Sequence, residues 1–82
     1  TNQLEATLYP NPAKHQVTIR VENLNSSAKV IMSDTQGRIL REEEMNAGEK
    51  ELTLNLKGLK SGVYYIKLKT DKAVSTQKLI VE

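Results

Sequence analysis

The only histidine, His15, is the first place to look for proton transfer. It follows Pro12-Ala13-Lys14, at the entrance to an alternating apolar segment. A general base needs a partner and a pocket; neither is visible here, so His15 reads as a solvent-exposed loop residue. Glu42-Glu43-Glu44 is a second candidate, as a cation site. Calcium takes several oxygens converging from a loop, and on a strand Glu43 points away from its two neighbours. The triplet reads better as a solvated edge strand kept from aggregating by its charge. The third cluster is Asp34-Thr35-Gln36-Gly37-Arg38. It has the chemistry of a tight turn: Asp34 hydrogen-bonds local backbone and Gly37 takes a positive φ. Arg38 is free to sit on a recognition surface at the same time. No Ser/His/Asp order, carboxylate pair in a cleft pattern or Gly-rich phosphate loop is present. These residues imply no catalysis, no bound metal and no cofactor.

The chain that must position them has 82 residues, enough for one domain at most. A chain this short buries only about 60–65% of the surface it exposes when unfolded, so its stability margin is thin. Without cysteine, neither disulfides nor thiolate metal sites can help. The apolar set is mostly Val, Ile and Leu with three Tyr, a composition suited to a thin sheet-on-sheet core. It leaves little room for a buried pocket of ~300 Å³ or more. Twelve basic side chains against ten acidic is too small a surplus for nucleic acid. Lys29, Arg38, Lys57, Lys60, Lys67 and Lys69 are scattered, without interleaved aromatics on which bases could stack. No apolar run approaches the roughly 20 residues of a membrane span. No signal peptide opens the chain, which leaves a cytoplasmic protein or a fragment cut from a larger precursor, and the start at Thr1 without Met favours a fragment or an engineered chain.

The dominant period is two. Val17-Thr18-Ile19-Arg20-Val21, Leu52-Thr53-Leu54-Asn55-Leu56 and Tyr64-Tyr65-Ile66-Lys67-Leu68 alternate apolar and polar, the mark of half-buried strands. Turns punctuate them at Pro10-Asn11-Pro12, Asn23 to Ser27, Asp34 to Gly37, Asn46-Ala47-Gly48, Lys60-Ser61-Gly62 and Thr70-Asp71-Lys72. The expected strands are about 4–9, 16–22, 28–33, 38–45, 50–56, 62–70 and 73–81. Arg41 to Met45 has good helix formers but is too short and follows a turn directly, so it is assigned to an exposed strand. The expected core is Val17, Ile19, Val21, Val30, Met32, Leu52, Leu54, Leu56, Tyr64, Ile66 and Leu68. Seven strands at this spacing make an all-β sandwich or small barrel.

Four segments, in order, resemble the C-terminal sorting domain of the type IX (Por) secretion system of Bacteroidota. Leu8-Tyr9-Pro10-Asn11-Pro12-Ala13 is close to its Y-P-N-P element. Val30 to Arg38 ends in its D-x-x-G-R turn as Asp34, Gly37 and Arg38. Leu56 to Tyr64 is like its L-x-x-L-x-x-G-x-Y, with Gly62 and Tyr64. Thr76 to Glu82 is like its K-[LIV]-[LIV] terminal strand. The match covers Leu4 to Glu82; each motif alone is weak and the set in register is specific. The ending Val81-Glu82 departs from the basic residue often found there.

The resemblance implies a seven-stranded immunoglobulin-like sandwich, residues 1–82 being one sorting domain of type A joined to an upstream cargo. It implies export through the periplasm and outer membrane by the type IX machinery. A sortase-like cell-surface peptidase then removes the domain before or near Thr1, and the cargo is bound to surface lipopolysaccharide or released. The residues expected to meet the translocon are Lys78, Leu79, Ile80, Val81 and Glu82. Leu79 and Ile80 must face opposite sides of their strand, and an accessible strand of this kind invites strand addition or an apolar groove. The same uncovered edge leaves strand-mediated dimerisation open. Tyr9, Pro10, Asn11, Pro12, Asp34, Gly37, Arg38, Gly62 and Tyr64 are the family's motif positions and are expected to be structural, with Pro10, Pro12, Gly37 and Gly62 shaping turns. The alternative is a carbohydrate-binding or adhesive β-sandwich module, for which only Tyr9, Tyr64 and Tyr65 offer aromatic rings.

Overall fold

A computed structural model describes residues 5–22, 24 and 26–82. The expected first-strand start at Leu4 and the loop positions Asn23 and Asn25 lie outside them. Alternation becomes seven strands: β1 Glu5–Tyr9, β2 Gln16–Glu22, β3 Ala28–Ser33, β4 Ile39–Met45, β5 Glu51–Asn55, β6 Gly62–Lys69 and β7 Val74–Val81. Every end other than the start of β1 lies within one residue of its sequence-based position. Arg41 to Met45 is strand because it pairs residue by residue with β3 and buries Met45.

The strands form two antiparallel sheets, β1-β2-β5 and β4-β3-β6-β7. Of the sandwich and the small barrel that the spacing allowed, it is the sandwich, with the seven strands that the family resemblance implied. Val17, Ile19 and Val21 from β2 meet Val30, Met32, Ile66 and Leu68 from β3 and β6 in one core, closed by Leu8, Leu24, Met45, Leu54, Leu56 and Tyr64. Leu52 is a correction: it packs against the core but is only partly buried, because β5 is an edge strand with no neighbour beyond it. Leu79 and Val81 of β7 are fully core.

A two-sheet sandwich has open sides where the edge strands of its sheets meet. On one side β4 lies by β5. Register slips there between Met32, which faces Arg41, and Ser33, which faces Ile39. The slip makes Leu40 the extra residue of a bulge, a device that re-aims side chains. Leu40 packs on the core while Ile39 is 56% exposed. Arg41 turns across the gap, and its guanidinium donates to the carbonyls of Leu40 at 2.9 Å, Asn55 at 3.3 Å and Lys57 at 2.9 Å. One side chain thus ties β4 to the end of β5, and the planar fork of arginine suits several acceptors at once.

The core has little reserve in a domain of this size. Ile19→Val should cost about 0.5–1.5 kcal/mol and Ile19→Ala about 2–5 kcal/mol, read as lowered midpoints in chemical denaturation. The larger loss is comparable to the whole stability of a small domain, so Ile19→Ala should be largely unfolded.

Candidate functional site

The terminal strand β7 pairs with β6 along its whole length, from Gly62↔Val81 to Lys69↔Val74. Alternation sends Leu79 and Val81 into the core and leaves Lys78, Ile80 and Glu82 exposed. Of the residues expected to meet a translocon, therefore, Leu79 and Val81 offer no side chain to a partner of the folded domain.

The far edge of β7 is also occupied. An edge strand directs N–H and C=O groups outward, and here those groups have partners from Lys78 to Glu82. The Asn11 side chain donates its Nδ2 to the Lys78 carbonyl at 3.1 Å and accepts the Ile80 N–H on Oδ1 at 3.1 Å. Ala13 continues the cover with its backbone: its N–H donates to the Ile80 carbonyl and its carbonyl accepts from the Glu82 N–H, both at 2.8 Å. The result is a parallel bridge between Ala13 and Val81, with Ala13 completely buried. Pro10 and Pro12 have no N–H to offer a neighbouring strand; the primary amide of Asn11 supplies the donor and acceptor pair of an ordinary peptide group instead. At the other end of this seam Gln77 Nε2 donates to the Ala6 carbonyl of β1. The Tyr9–Pro10 and Asn11–Pro12 peptide bonds are both cis.

Two further motifs resolve into local hydrogen bonding. Asp34 Oδ1 accepts from the backbone N–H of Gln36 and of Arg38, each at 2.9 Å, and Gly37 sits at φ 87° in the hairpin between β3 and β4. The Arg38 N–H, then the Gln36 N–H, hold the Asp34 carboxyl below its ordinary pKa although burial pushes it up. Arg38 itself is exposed, its Nε 3.6 Å from Asp34 Oδ2. Tyr64, at the start of β6, donates its hydroxyl to the Lys60 carbonyl four residues back at 2.6 Å. This is the tyrosine corner of Greek-key sandwiches. Gly62 opens β6 two residues before it.

The two outer faces differ. On β1-β2-β5 the polar groups satisfy one another. Tyr9 donates to Glu51, Arg20 bonds Glu22 at 3.0 Å and reaches Glu51 at 3.5 Å, and Thr18 meets Thr53 at 3.0 Å. The Glu51 bond pushes the Tyr9 phenol pKa up, and Glu22 does the same for Arg20. On β4-β3-β6-β7 the exposed side chains include Ile39, Val63, Tyr65, Val74 and Ile80. The exposed rings Tyr9 and Tyr65 thus lie on opposite faces, and no face pairs two aromatics among the described residues. His15 is exposed and lines an open cleft of about 540 Å³ with Lys14, Asn55 and Lys57. Among the described residues no group of three His, Cys, Asp or Glu gathers as for a metal.

The fold and these corners define an immunoglobulin-like sandwich. Among solved structures, the chain is similar to a DUF3244 family protein with an immunoglobulin-like β-sandwich fold from Bacteroides vulgatus. The TM-score is 0.74 at 11% identity, over 98% of this chain and 95% of that one. No curated protein matches. Residues 7–82 match the secretion system C-terminal sorting domain family, and the chain belongs to that family, the sorting domains of type IX secretion. Such a domain implies a cargo, a secretion machinery, and export to the cell surface or beyond.

Asn11→Ala removes two hydrogen bonds and uncovers the Ile80 N–H and Lys78 carbonyl. It should lower stability by about 1–3 kcal/mol and make the chain self-associate with concentration in sedimentation velocity. Asn11→Asp keeps the acceptor for Ile80 and should lose less. A lowered folded-state pKa means that the Asp34 contribution is complete above the unfolded value of about 3.9 and is lost as pH falls through the folded value. Asp34→Asn should therefore flatten the acid limb of denaturation midpoint against pH, measured over roughly pH 2–6.

Proposed function

We propose that residues 1–82 are the C-terminal sorting signal of a longer precursor. The type IX translocon recognises the folded domain and exports the attached cargo across the outer membrane. A sortase-like peptidase at the cell surface then removes the domain, as in type A signals. The observation that carries this reading is the family match over residues 7–82, within which all four sequence motifs fall. The geometry adds a physical reason for three of them: Asn11 covers the terminal strand, Asp34 builds the β3–β4 hairpin, and Tyr64 pins the corner before β6. The fourth, Lys78 to Glu82, is the handle, presenting Lys78, Ile80 and Glu82 to the translocon.

The test fuses residues 1–82 behind a signal peptide and reporter in a host with type IX secretion. The intact fusion should bring the reporter to the cell surface or medium. Deleting Lys78 to Glu82 should leave it in the periplasm. Export that survives the deletion would remove the handle role, and periplasmic retention of the intact fusion would remove the sorting role itself.

A further inference from the structure

We infer that the outer face of the β4-β3-β6-β7 sheet, at the end that carries Val63, Tyr65 and Ile80, docks a protein of the export machinery whose surface presents apolar side chains ringed by carboxylates. This rests on the sorting role proposed above and deepens it.

The first observation is the closed edge. Asn11 and Ala13 hold the outward backbone groups of β7 from the Lys78 carbonyl to the Glu82 N–H. A partner cannot add a strand there without first displacing them. Along this stretch β7 is therefore open to a partner only through its outward side chains.

The second observation is what surrounds them. Register places Val63 opposite Ile80, and Ile39, Ser33, Tyr65 and Lys78 in one row across all four strands. Neighbouring strands lie about 4.8 Å apart, so that row spans about 14 Å. Val63, Tyr65 and Ile80 are 37%, 37% and 39% exposed. They sit in adjacent rows, giving a contiguous apolar patch rather than scattered residues. Contiguous exposed apolar surface marks interaction sites.

The third observation is charge. The same face carries Lys67, Lys69 and Lys78, none of which has a carboxylate within 4.0 Å among the described residues. Lys69 stands directly across from Lys29; like charges so placed are unfavourable, and Lys29 is relieved by Glu42 at 3.4 Å. The opposite outer face, by contrast, pairs Arg20 with Glu22 and Glu51. A face that keeps cations unpaired beside apolar side chains is complementary to carboxylates around an apolar surface, and such complementarity speeds encounter and fixes register.

The face carries both signs, because Glu42 and Glu44 line its β4 side. Those carboxylates oppose an anionic lipid surface, whereas a protein can place a cation against them. A second copy that paired the Val63, Tyr65 and Ile80 patch with itself would crowd the lysines of β6 and β7 together and leave the carboxylates of β4 beyond the contact. A protein partner fits best.

The reporter fusion tests this. Val63→Thr, Tyr65→Thr and Ile80→Thr combined keep β-favouring residues while removing the apolar surface, and Lys78→Glu alone reverses one exposed charge. Each should lower the rate of export roughly tenfold or more, with the melting temperature of the purified chain within about 5 °C of the parent. Thr7→Glu, on the other outer face, should export normally. If the threonine variant folds poorly, Lys78→Glu decides the matter. Normal export of Lys78→Glu, or of a folded threonine variant, would overturn the docking face. So would a dimer of the purified chain that the threonine substitutions dissolve, or binding to phosphatidylglycerol vesicles that Lys67→Glu and Lys78→Glu abolish. Retention of the unsubstituted fusion in the periplasm would instead overturn the sorting role on which the inference stands.

Discussion

Closing the two open sides of a thin sandwich is the constraint on which the rest of this structure depends. The sheets have four edges between them, and the chain has no cysteine with which to staple any of them. Each side is closed by polar groups that reach from one sheet to the other. Arg41 spans β4 and β5 with three carbonyl acceptors, and the Asn11–Ala13 segment lies along β7. With the sides closed, seven short strands enclose a continuous aliphatic core. Without the Asn11–Ala13 segment, β7 would keep its pairing to β6 and the Gln77 bond to β1, and the edge beside Leu79 and Val81 would be uncovered.

The fold was legible because alternation is a strong signal when one face of every strand is buried. Val17, Ile19 and Val21 could only point one way, and slipping them by one residue would put all three in water. Leu52 was less legible: its position in an alternating run says nothing about whether its strand lies at an edge. Met45 and Ala28 escaped notice because each stands at the end of a strand where the pattern is short. They are buried because register pairs them with one another.

The site was legible in part. Asp34 and Gly37 announce their turn through local chemistry, since the bonds involved span only a few residues. That Leu79 and Ile80 take opposite faces followed from the pleat alone. The role of Asn11 was hidden, because its partners lie nearly the whole chain length away. Proline on both sides signals that the ladder must stop; nothing local says that a side-chain amide then takes the ladder's place. The patch of Val63, Tyr65 and Ile80 was hidden for a similar reason. It exists only once β6 and β7 are laid side by side in register.

The parallel sense of the bridge between Ala13 and Val81 has a mechanical meaning. Two strands pulled from opposite ends while running the same way are loaded in shear, so their bonds share the force instead of opening one after another. A pull that draws the Asn11–Ala13 segment toward β1 and β7 toward its C-terminal end therefore falls together on the contacts of Asn11 and Ala13 with Lys78, Ile80 and Glu82. Resistance to such a pull is set by the rate at which that clamp lets go, rather than by the equilibrium stability of the domain.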